Sequence, residues 1–240
     1  MAEVFFNGPA GRIEGLYTKS SDSKAPLALV LHPHPLHGGT MNNKVVYNVY
    51  KVLVANGFTV LRINFRGVGR SQGEFDHGVG EMTDAATALD WLQLNNPSGG
   101  INLIAGFSFG AWIAMQLIMR RPEINNFIMV SPPVSKYDFS FLSQCPISGF
   151  VIQGDKDSIV SEESVLELVD KLSKQKHITI DYKLIQGGDH FFRNKIGEFT
   201  QAISDYLQLR LLNNKTTPLN NDFSIEGNLV TKSLQKVFLD

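Results

Sequence analysis

Short apolar runs alternate along this chain with segments in which apolar residues recur every three or four positions. The runs are typical of buried strands, and the longer spacing is typical of helices with one buried face. The predicted strands are 27–31, 58–65, 101–105, 127–130, 149–153 and 178–185. The predicted helices are 44–56, 81–95, 109–121, 162–174 and 192–211. This alternation predicts the α/β class, with a mostly parallel sheet covered by helices on both faces.

The two ends of the chain have different patterns. Residues 4–6 and 12–17, on either side of Gly8-Pro9, predict an antiparallel pair of strands ahead of the parallel sheet. Residues 213–222 are polar and rich in asparagine, and only a short helical pattern follows them. We therefore expect one catalytic domain over 1–212 and a polar tail over 213–240, which is either disordered or docks on a neighbour.

Composition excludes several classes of function. The chain has 240 residues, a net charge of -1 and a pI near 6.6, which gives no general attraction for nucleic acid or anionic membranes. No apolar run approaches the ~20 residues that a membrane span needs. Cys145 is the single cysteine, so no intrachain disulfide can form. These features predict a cytoplasmic protein that acts on a small molecule, and they leave open whether it is a homo-oligomer.

The segment from Gly106 to Gly110 reads Gly-Phe-Ser-Phe-Gly and lies between a predicted strand and a predicted helix. A strand that passes into a helix through Gly-x-Ser-x-Gly holds the serine on a strained turn and presents its hydroxyl. Serine is a weak nucleophile at neutral pH, so it needs a histidine base and a carboxylate that orients the histidine. Ser108 is therefore a candidate nucleophile whose partners should follow in the chain.

Two carboxylates and a histidine follow later strands. Asp155 and Asp157 come directly after the predicted strand 149–153, and His190 follows the strand 178–185. Parallel strands place such residues together at one edge of the sheet, where ligands of open α/β sheets bind. One aspartate should orient the histidine, and the other should act only in the turn.

At this point the chain resembles the α/β-hydrolase superfamily, particularly its small, lidless bacterial members similar to serine esterases. The resemblance covers residues 12–211. It is carried by His32-Pro33-His34-Pro35, by the run 64–71, by the Gly-Phe-Ser-Phe-Gly turn, by Gly154-x-x-Asp157-x-x-Val160 and by His190.

The resemblance implies a role for each of these residues. Ser108 would be the nucleophile, His190 the base and Asp157 the acid, since the family's aspartate stands three residues after the glycine. The backbone N–H of Phe109 would form one half of the oxyanion hole. The second donor would be the N–H of His34, or that of Leu36, because the intervening prolines have no N–H.

The resemblance further implies hydrolysis of carboxylic esters of modest size through an acyl-enzyme, without a cofactor and without metal. A serine peptidase or a thioesterase would use the same triad. The segment between the strands 127–130 and 149–153 is too short for a cap domain, so the cleft should be open and apolar. Its predicted lining is Leu36, Met41, Phe107, Val134, Ile159 and Phe191.

Two further hypotheses belong to other classes. His32, His34 and His37 are closely spaced after a strand, as in metal-dependent hydrolases, although Leu36 stands where those enzymes have an acidic ligand. A catalytically silent interaction module of the same fold is the other alternative. Asn64, Arg66 and Ser71, by contrast, are predicted to build a turn.

Overall fold

The sheet has eight strands in this computed structural model, which describes residues 1–100 and 102–212. They are β1 (Ala2–Gly8), β2 (Gly11–Thr18), β3 (Leu27–Leu31), β4 (Thr59–Ile63), β5 (Asn102–Phe107), β6 (Asn126–Val130), β7 (Gly149–Gly154) and β8 (Ile180–Ile185). Their order across the sheet is β1-β2-β4-β3-β5-β6-β7-β8. The prediction for 27–31 is confirmed at both ends, whereas Ile101, which began another predicted strand, lies outside the described residues.

The direction of the strands determines where the loops meet. β1 pairs antiparallel with β2, as predicted, and β2 pairs antiparallel with β4. All the other neighbours, from β4 through β3 to β8, are parallel. The carboxyl ends of six strands therefore lie at one edge, and the segments that follow β3, β5, β7 and β8 meet there.

Five α-helices cover the two faces of the sheet within the described part of the chain. They are α1 (Lys44–Ala55), α2 (Val79–Leu94), α3 (Phe109–Ile118), α4 (Glu162–Ser173) and α5 (Ile196–Leu207). One apolar cluster joins the sheet to α2, α3 and α4, and a second joins it to α1 and α5. Successive residues of a strand serve opposite faces, so Leu29 belongs to the first cluster and Val30 to the second. The predicted α/β class, with helices on both faces, is confirmed.

The predicted last helix, 192–211, is wrong at its start. Phe192 has a φ of 52°, which does not fit a right-handed helix, and α5 begins only at Ile196. The side chain of Phe192 is nevertheless fully buried and stacks on Phe199 with 4.6 Å between ring centroids. Its apolar character therefore continues the helical pattern although its backbone belongs to a turn. Beyond α5 the chain continues as a π-helical turn, Gln208–Leu212.

The segment between β6 and β7 contains a single short element, the 3-10 turn Ser140–Gln144. It is far too short to form a cap domain, which agrees with the prediction of a lidless fold. No helix in the described ranges is long and apolar enough to cross a membrane. The predicted tail, 213–240, lies outside the described residues, so the domain boundary stays a prediction.

Candidate active site

Ser108 lies on the sharp turn between β5 and α3. Its φ of 53° and ψ of -119° are strained for a residue with a side chain, and its N–H donates to the Val130 carbonyl at 2.9 Å. The turn needs glycine on both sides. A Cβ on Gly106 would lie 2.2 Å from the Gly110 carbonyl oxygen, and one on Gly110 would lie 2.5 Å from that of Leu31. The backbone therefore has the geometry of a nucleophile turn at the carboxyl edge of the sheet.

The His190 imidazole is bound to the Asp157 carboxylate at the same edge. Its Nδ1 lies 2.7 Å from Asp157 Oδ2, and both side chains are almost completely buried. The carboxylate can only accept, so Nδ1 donates and Nε2 remains free to accept a proton. The imidazole ring packs on Phe107, the residue before Ser108, with 4.9 Å between ring centroids. The structure thus brings the predicted acid and base together beside the turn that carries the serine.

Hydrogen bonds surround both oxygens of Asp157. Oδ1 accepts from the backbone N–H of Ile159 at 2.8 Å and of Val160 at 2.9 Å. Oδ2 accepts from His190 and also from the Gln153 side-chain amide at 3.2 Å. Burial raises the pKa of Asp157, but the hydrogen bonds, with the one from His190 first among them, outweigh burial and hold this pKa below its usual value. Asp157 is therefore ionised at neutral pH.

Asp155 has a different environment from Asp157. Its Oδ1 accepts the Gly187 N–H at 2.5 Å, and the N–H of Lys156 donates to the Gly188 carbonyl at 2.9 Å. Asp155 therefore ties the loop after β7 to the loop after β8, which carries His190. This agrees with the expectation that one of the two aspartates acts in the turn.

The candidate oxyanion donors lie on two different turns. The Phe109 N–H is at the start of α3, where a helix leaves its first amides without intrahelical partners. The Leu36 N–H donates to His34 Nδ1 at 3.2 Å, whereas the His34 N–H has no partner among the residues that the structure describes. The rings of His34 and Phe109 lie 5.0 Å apart between centroids. Of the two alternatives for the second donor, only the His34 amide is unengaged.

The three closely spaced histidines do not form a metal-ligand set. His32 is fully buried, its Nδ1 lies 2.6 Å from the Pro33 carbonyl oxygen, and its Nε2 accepts the Phe65 N–H at 3.0 Å. Burial lowers the pKa of His32 to about 4, so the ring is neutral and both nitrogens are occupied. Among the described residues, no group of three or more His, Cys, Asp or Glu side chains could hold a metal ion. The metal-site hypothesis for His32, His34 and His37 is therefore wrong, and His32 instead joins the ends of β3 and β4.

The predicted cleft residues divide into two groups. Met41 and Phe107 are only 2% and 1% exposed, so they belong to the core and offer almost no surface to a cleft. Leu36 and Ile159 are exposed, and Val134 and Phe191 are partly buried. These last four remain candidates for the lining. The sequence interpretation missed a set of packed rings beside Phe109, formed by Phe75, Trp112 and Tyr137.

The predicted turn-building residues make structural hydrogen bonds. Asn64 Nδ2 donates to Glu14 Oε2 at 2.8 Å, and Ser71 Oγ donates to the Asn64 carbonyl at 2.7 Å. The guanidinium of Arg66 forms a two-point ion pair with the buried carboxylate of Asp84. Ser71 therefore closes the turn after β4, whereas Asn64 and Arg66 join this segment to β2 and α2.

A parallel sheet in this strand order, a serine turn after β5 and a short β6–β7 connection are features of α/β hydrolases without a lid. The model of the X-Pro dipeptidyl-peptidase family S15 matches residues 18–149. The match covers more than half of the chain and includes the Ser108 turn. The chain therefore belongs to the α/β serine hydrolases, in the family that the S15 model describes.

Three relatives are similar over most of their length. The uncharacterized protein RP471 of Rickettsia prowazekii (strain Madrid E) is 68% identical over an alignment of 211 residues that covers 86% of this chain and 89% of that protein. ATU1826 of Agrobacterium tumefaciens, a protein of unknown function, is 52% identical with a TM-score of 0.86 over 91% of this chain and 100% of that one. XC6422 of Xanthomonas campestris, a member of the α/β serine hydrolases without a lid, is 32% identical with a TM-score of 0.78 over 90% and 96% of the two chains.

Proposed function

We propose that this protein is a cytoplasmic serine hydrolase that cleaves carboxylic esters of modest size through an acyl-enzyme. Ser108 is the nucleophile, His190 the general base and Asp157 the acid that orients it. The observation that carries the proposal is the 2.7 Å hydrogen bond between His190 Nδ1 and Asp157 Oδ2, next to the strained turn of Ser108. The S15-type family and the serine hydrolase relatives support the same chemistry.

The reaction follows from these groups. His190 Nε2 takes the hydroxyl proton of Ser108 while the oxygen attacks the ester carbonyl, and Asp157 stabilises the imidazolium that forms. The N–H groups of Phe109 and His34 donate to the oxyanion, and each such donor contributes roughly 10²- to 10³-fold in rate. His190 then protonates the departing alcohol. Water, activated by His190, releases the acid from the acyl-enzyme, so no cofactor is needed.

The rim of the site supports substrates of modest size. The connection between β6 and β7 holds one 3-10 turn. Leu36, in the loop after β3, is 68% exposed, and Ile159, in the loop after β7, is 41% exposed. These side chains offer apolar surface without enclosing a long channel. A short acyl chain or a small aryl ester can therefore reach Ser108 from solvent.

The match to the S15 model favours peptide hydrolysis as a second candidate, because that family is named for X-Pro dipeptidyl-peptidases. The same triad can cleave an amide, but the nitrogen leaving group must be protonated in the transition state, which makes the reaction more demanding. We expect the ester to be the better substrate.

A labelling experiment tests the nucleophile first. Wild-type protein, Ser108→Ala and Ser158→Ala are treated with a fluorophosphonate probe, Ser158 being an exposed serine beside Asp157. We expect labelling of the wild type and of the Ser158 variant only. Folded wild-type protein that is not labelled would favour the catalytically silent module.

Substrate comparison then separates the two chemistries. The rates on p-nitrophenyl butyrate and on an Xaa-Pro p-nitroanilide are measured with and without a chelator. We expect a higher kcat/KM on the ester and no effect of chelation. A higher kcat/KM on the Xaa-Pro substrate would instead support the peptidase.

A further inference from the structure

Gln153 is a fully buried polar residue near the end of β7, and it contacts the candidate acid, Asp157. Its amide nitrogen, Nε2, lies 3.2 Å from Asp157 Oδ2, 2.9 Å from the Val160 carbonyl oxygen and 3.3 Å from the Gly154 carbonyl oxygen. Since Val160 in turn donates its N–H to Asp157 Oδ1, these residues form a closed set of hydrogen bonds. Gln153 therefore binds the oxygen of Asp157 that also accepts from His190.

The orientation of this amide follows from its neighbours. All three groups around Nε2 are acceptors, and the amide oxygen in that position would face a carboxylate and two carbonyl oxygens. Oε1 of Gln153 must therefore point the other way. There it is buried and has no hydrogen-bond partner among the described residues.

A second buried polar atom without a partner belongs to the residue directly after the neighbouring strand, β6. Ser131 follows β6, is completely buried, and its Oγ has no hydrogen-bond partner within the described ranges. Its N–H donates to the Ile152 carbonyl at 3.0 Å, and Val130 pairs with Ile152, which places Ser131 beside Gln153. Ser131 also has a φ of 45°, a conformation that costs free energy in a residue with a side chain. A buried unsatisfied polar group requires an explanation, and these two residues stand at adjacent positions where neighbouring strands end.

We infer that Gln153 is a positioning residue for the acid of the triad, and that Ser131 Oγ and Gln153 Oε1 share one buried water that fixes the amide. The inference rests on the proposed function, since it assigns Gln153 a role through Asp157 and His190. A neutral amide donor at Oδ2 favours the ionised carboxylate and restrains its rotation. Asp157 thereby keeps its second oxygen in line with His190 Nδ1 throughout the reaction. A hydroxyl and an amide oxygen are suitable partners for a buried water.

Three variants test this role against a matched control. Gln153→Met removes the donor at similar size, Gln153→Glu replaces the amide by a carboxyl group, and Ser131→Ala removes the hydroxyl. Gln116→Met is the control, because Gln116 on α3 is partly buried and its Nε2, unlike that of Gln153, has no hydrogen-bond partner to lose within the described part of the chain. Each protein is assayed on an aryl ester, labelled with the fluorophosphonate, and compared by thermal unfolding.

Gln153→Met should lower kcat roughly ten- to a hundredfold, as expected for one lost hydrogen bond to a charged group, with KM changed less than threefold. Ser131→Ala should lower kcat a few-fold, and Gln116→Met should leave it unchanged. Wild-type kcat in a folded Gln153→Met variant would overturn the inference. An unchanged kcat in Ser131→Ala would overturn the proposal that Ser131 and Gln153 share a water.

Gln153→Glu keeps the test valid if the methionine variant fails to fold. The ionisable side chains in this hydrogen-bond chain are Asp157 and His190, whereas Asp155 binds Gly187 and Lys156 is largely exposed. The protonated glutamic acid can still donate to Asp157, but its ionisation places two like charges together. The variant should therefore lose kcat/KM as pH rises, on an alkaline limb that the wild type lacks. A profile parallel to the wild type would overturn the role of Gln153, whereas an unlabelled wild type would overturn the proposed function instead.

Discussion

His190 and Asp157 stand 33 residues apart in the chain, yet Nδ1 of the imidazole lies 2.7 Å from Oδ2 of the carboxylate. β7 and β8 are adjacent and parallel, so the loops that follow them leave the sheet side by side. The Gly187 N–H donates to Asp155 Oδ1 and the Lys156 N–H donates to the Gly188 carbonyl, and these hydrogen bonds join the two loops. The order and direction of the strands therefore bring the proposed base and its proposed acid together.

We expect Asp157→Asn to lower kcat on a small aryl ester by about 10⁴-fold. The asparagine amide no longer selects the histidine tautomer with a proton on Nδ1. Asp155→Asn is the matched control and should cost much less, since Asp155 contacts Gly187 and not His190. Steady-state kinetics on both variants check the assignment. The opposite ranking would move the acid to Asp155.

Two substitutions of Ser108 should have the same effect on activity but different effects on stability. Ser108→Ala and Ser108→Gly should both lower kcat by about 10⁶-fold, as expected where a triad acts as a unit. Because φ at this position is 53°, glycine relieves strain that alanine keeps, so Ser108→Gly should be the more stable by about 1 kcal/mol.

Kinetics and urea unfolding of the two Ser108 variants check these predictions. Equal stabilities would show that the turn is not strained. Substantial turnover by either variant would exclude Ser108 as the nucleophile.

Burial of His32 predicts a dependence of stability on pH. The pKa of His32 is lowered by burial from 6.5 to about 4, so between these values the unfolded chain binds a proton that the folded protein does not. The stabilisation is complete above pH 6.5 and is lost as pH falls toward about 4. At ~1.4 kcal/mol per pH unit, the free energy of unfolding should fall by about 3 kcal/mol over this range.

His32→Gln tests this dependence, since glutamine can still accept from the Phe65 N–H but does not titrate. Free energies of unfolding are measured in urea at pH 7.5, 6 and 5. The wild type should lose stability faster than the variant as pH falls. Parallel curves would show that His32 is not buried in its neutral form.

Replacing Gly154 by alanine should lower both stability and activity, whereas the same change at Gly197 should not. A Cβ at Gly154 would lie 2.2 Å from the Gly188 carbonyl oxygen, so Gly154→Ala must separate the loop of Asp157 from that of His190. We expect a destabilisation of about 1–3 kcal/mol together with a lower kcat. Gly197→Ala in α5 is the control, because nothing lies within 4 Å of its Cβ.

Thermal unfolding and ester turnover are measured on both glycine variants. Gly197→Ala should be neutral or more stable by up to about 1 kcal/mol, since alanine favours a helix. A Gly154→Ala variant as active and stable as the wild type would show that the two loops can separate without consequence.

Much of the fold could be predicted from local pattern. β3 was predicted at both ends because all five of its residues are apolar and buried, and Lys44 and Glu162 begin α1 and α4 as predicted. Phe192 was placed wrongly, since a buried side chain extends the helical pattern whether or not the backbone is helical. Met41 and Phe107 were placed in the cleft because apolar character does not distinguish a core residue from a residue that contacts substrate.

The sequence by itself determined the α/β class, the serine turn and the order serine, aspartate, histidine, because these depend on residue types over short stretches of chain. Its residue types left Asp155 and Asp157 as alternatives, and only the family resemblance favoured Asp157. The tertiary structure alone decided what each polar side chain binds. Thus His32 accepts from Phe65 instead of holding a metal, and Gln153 joins the site by donating to Asp157. A hydrogen bond depends on positions within a few tenths of an ångström, and strands that are distant in sequence set those positions only when the sheet has formed.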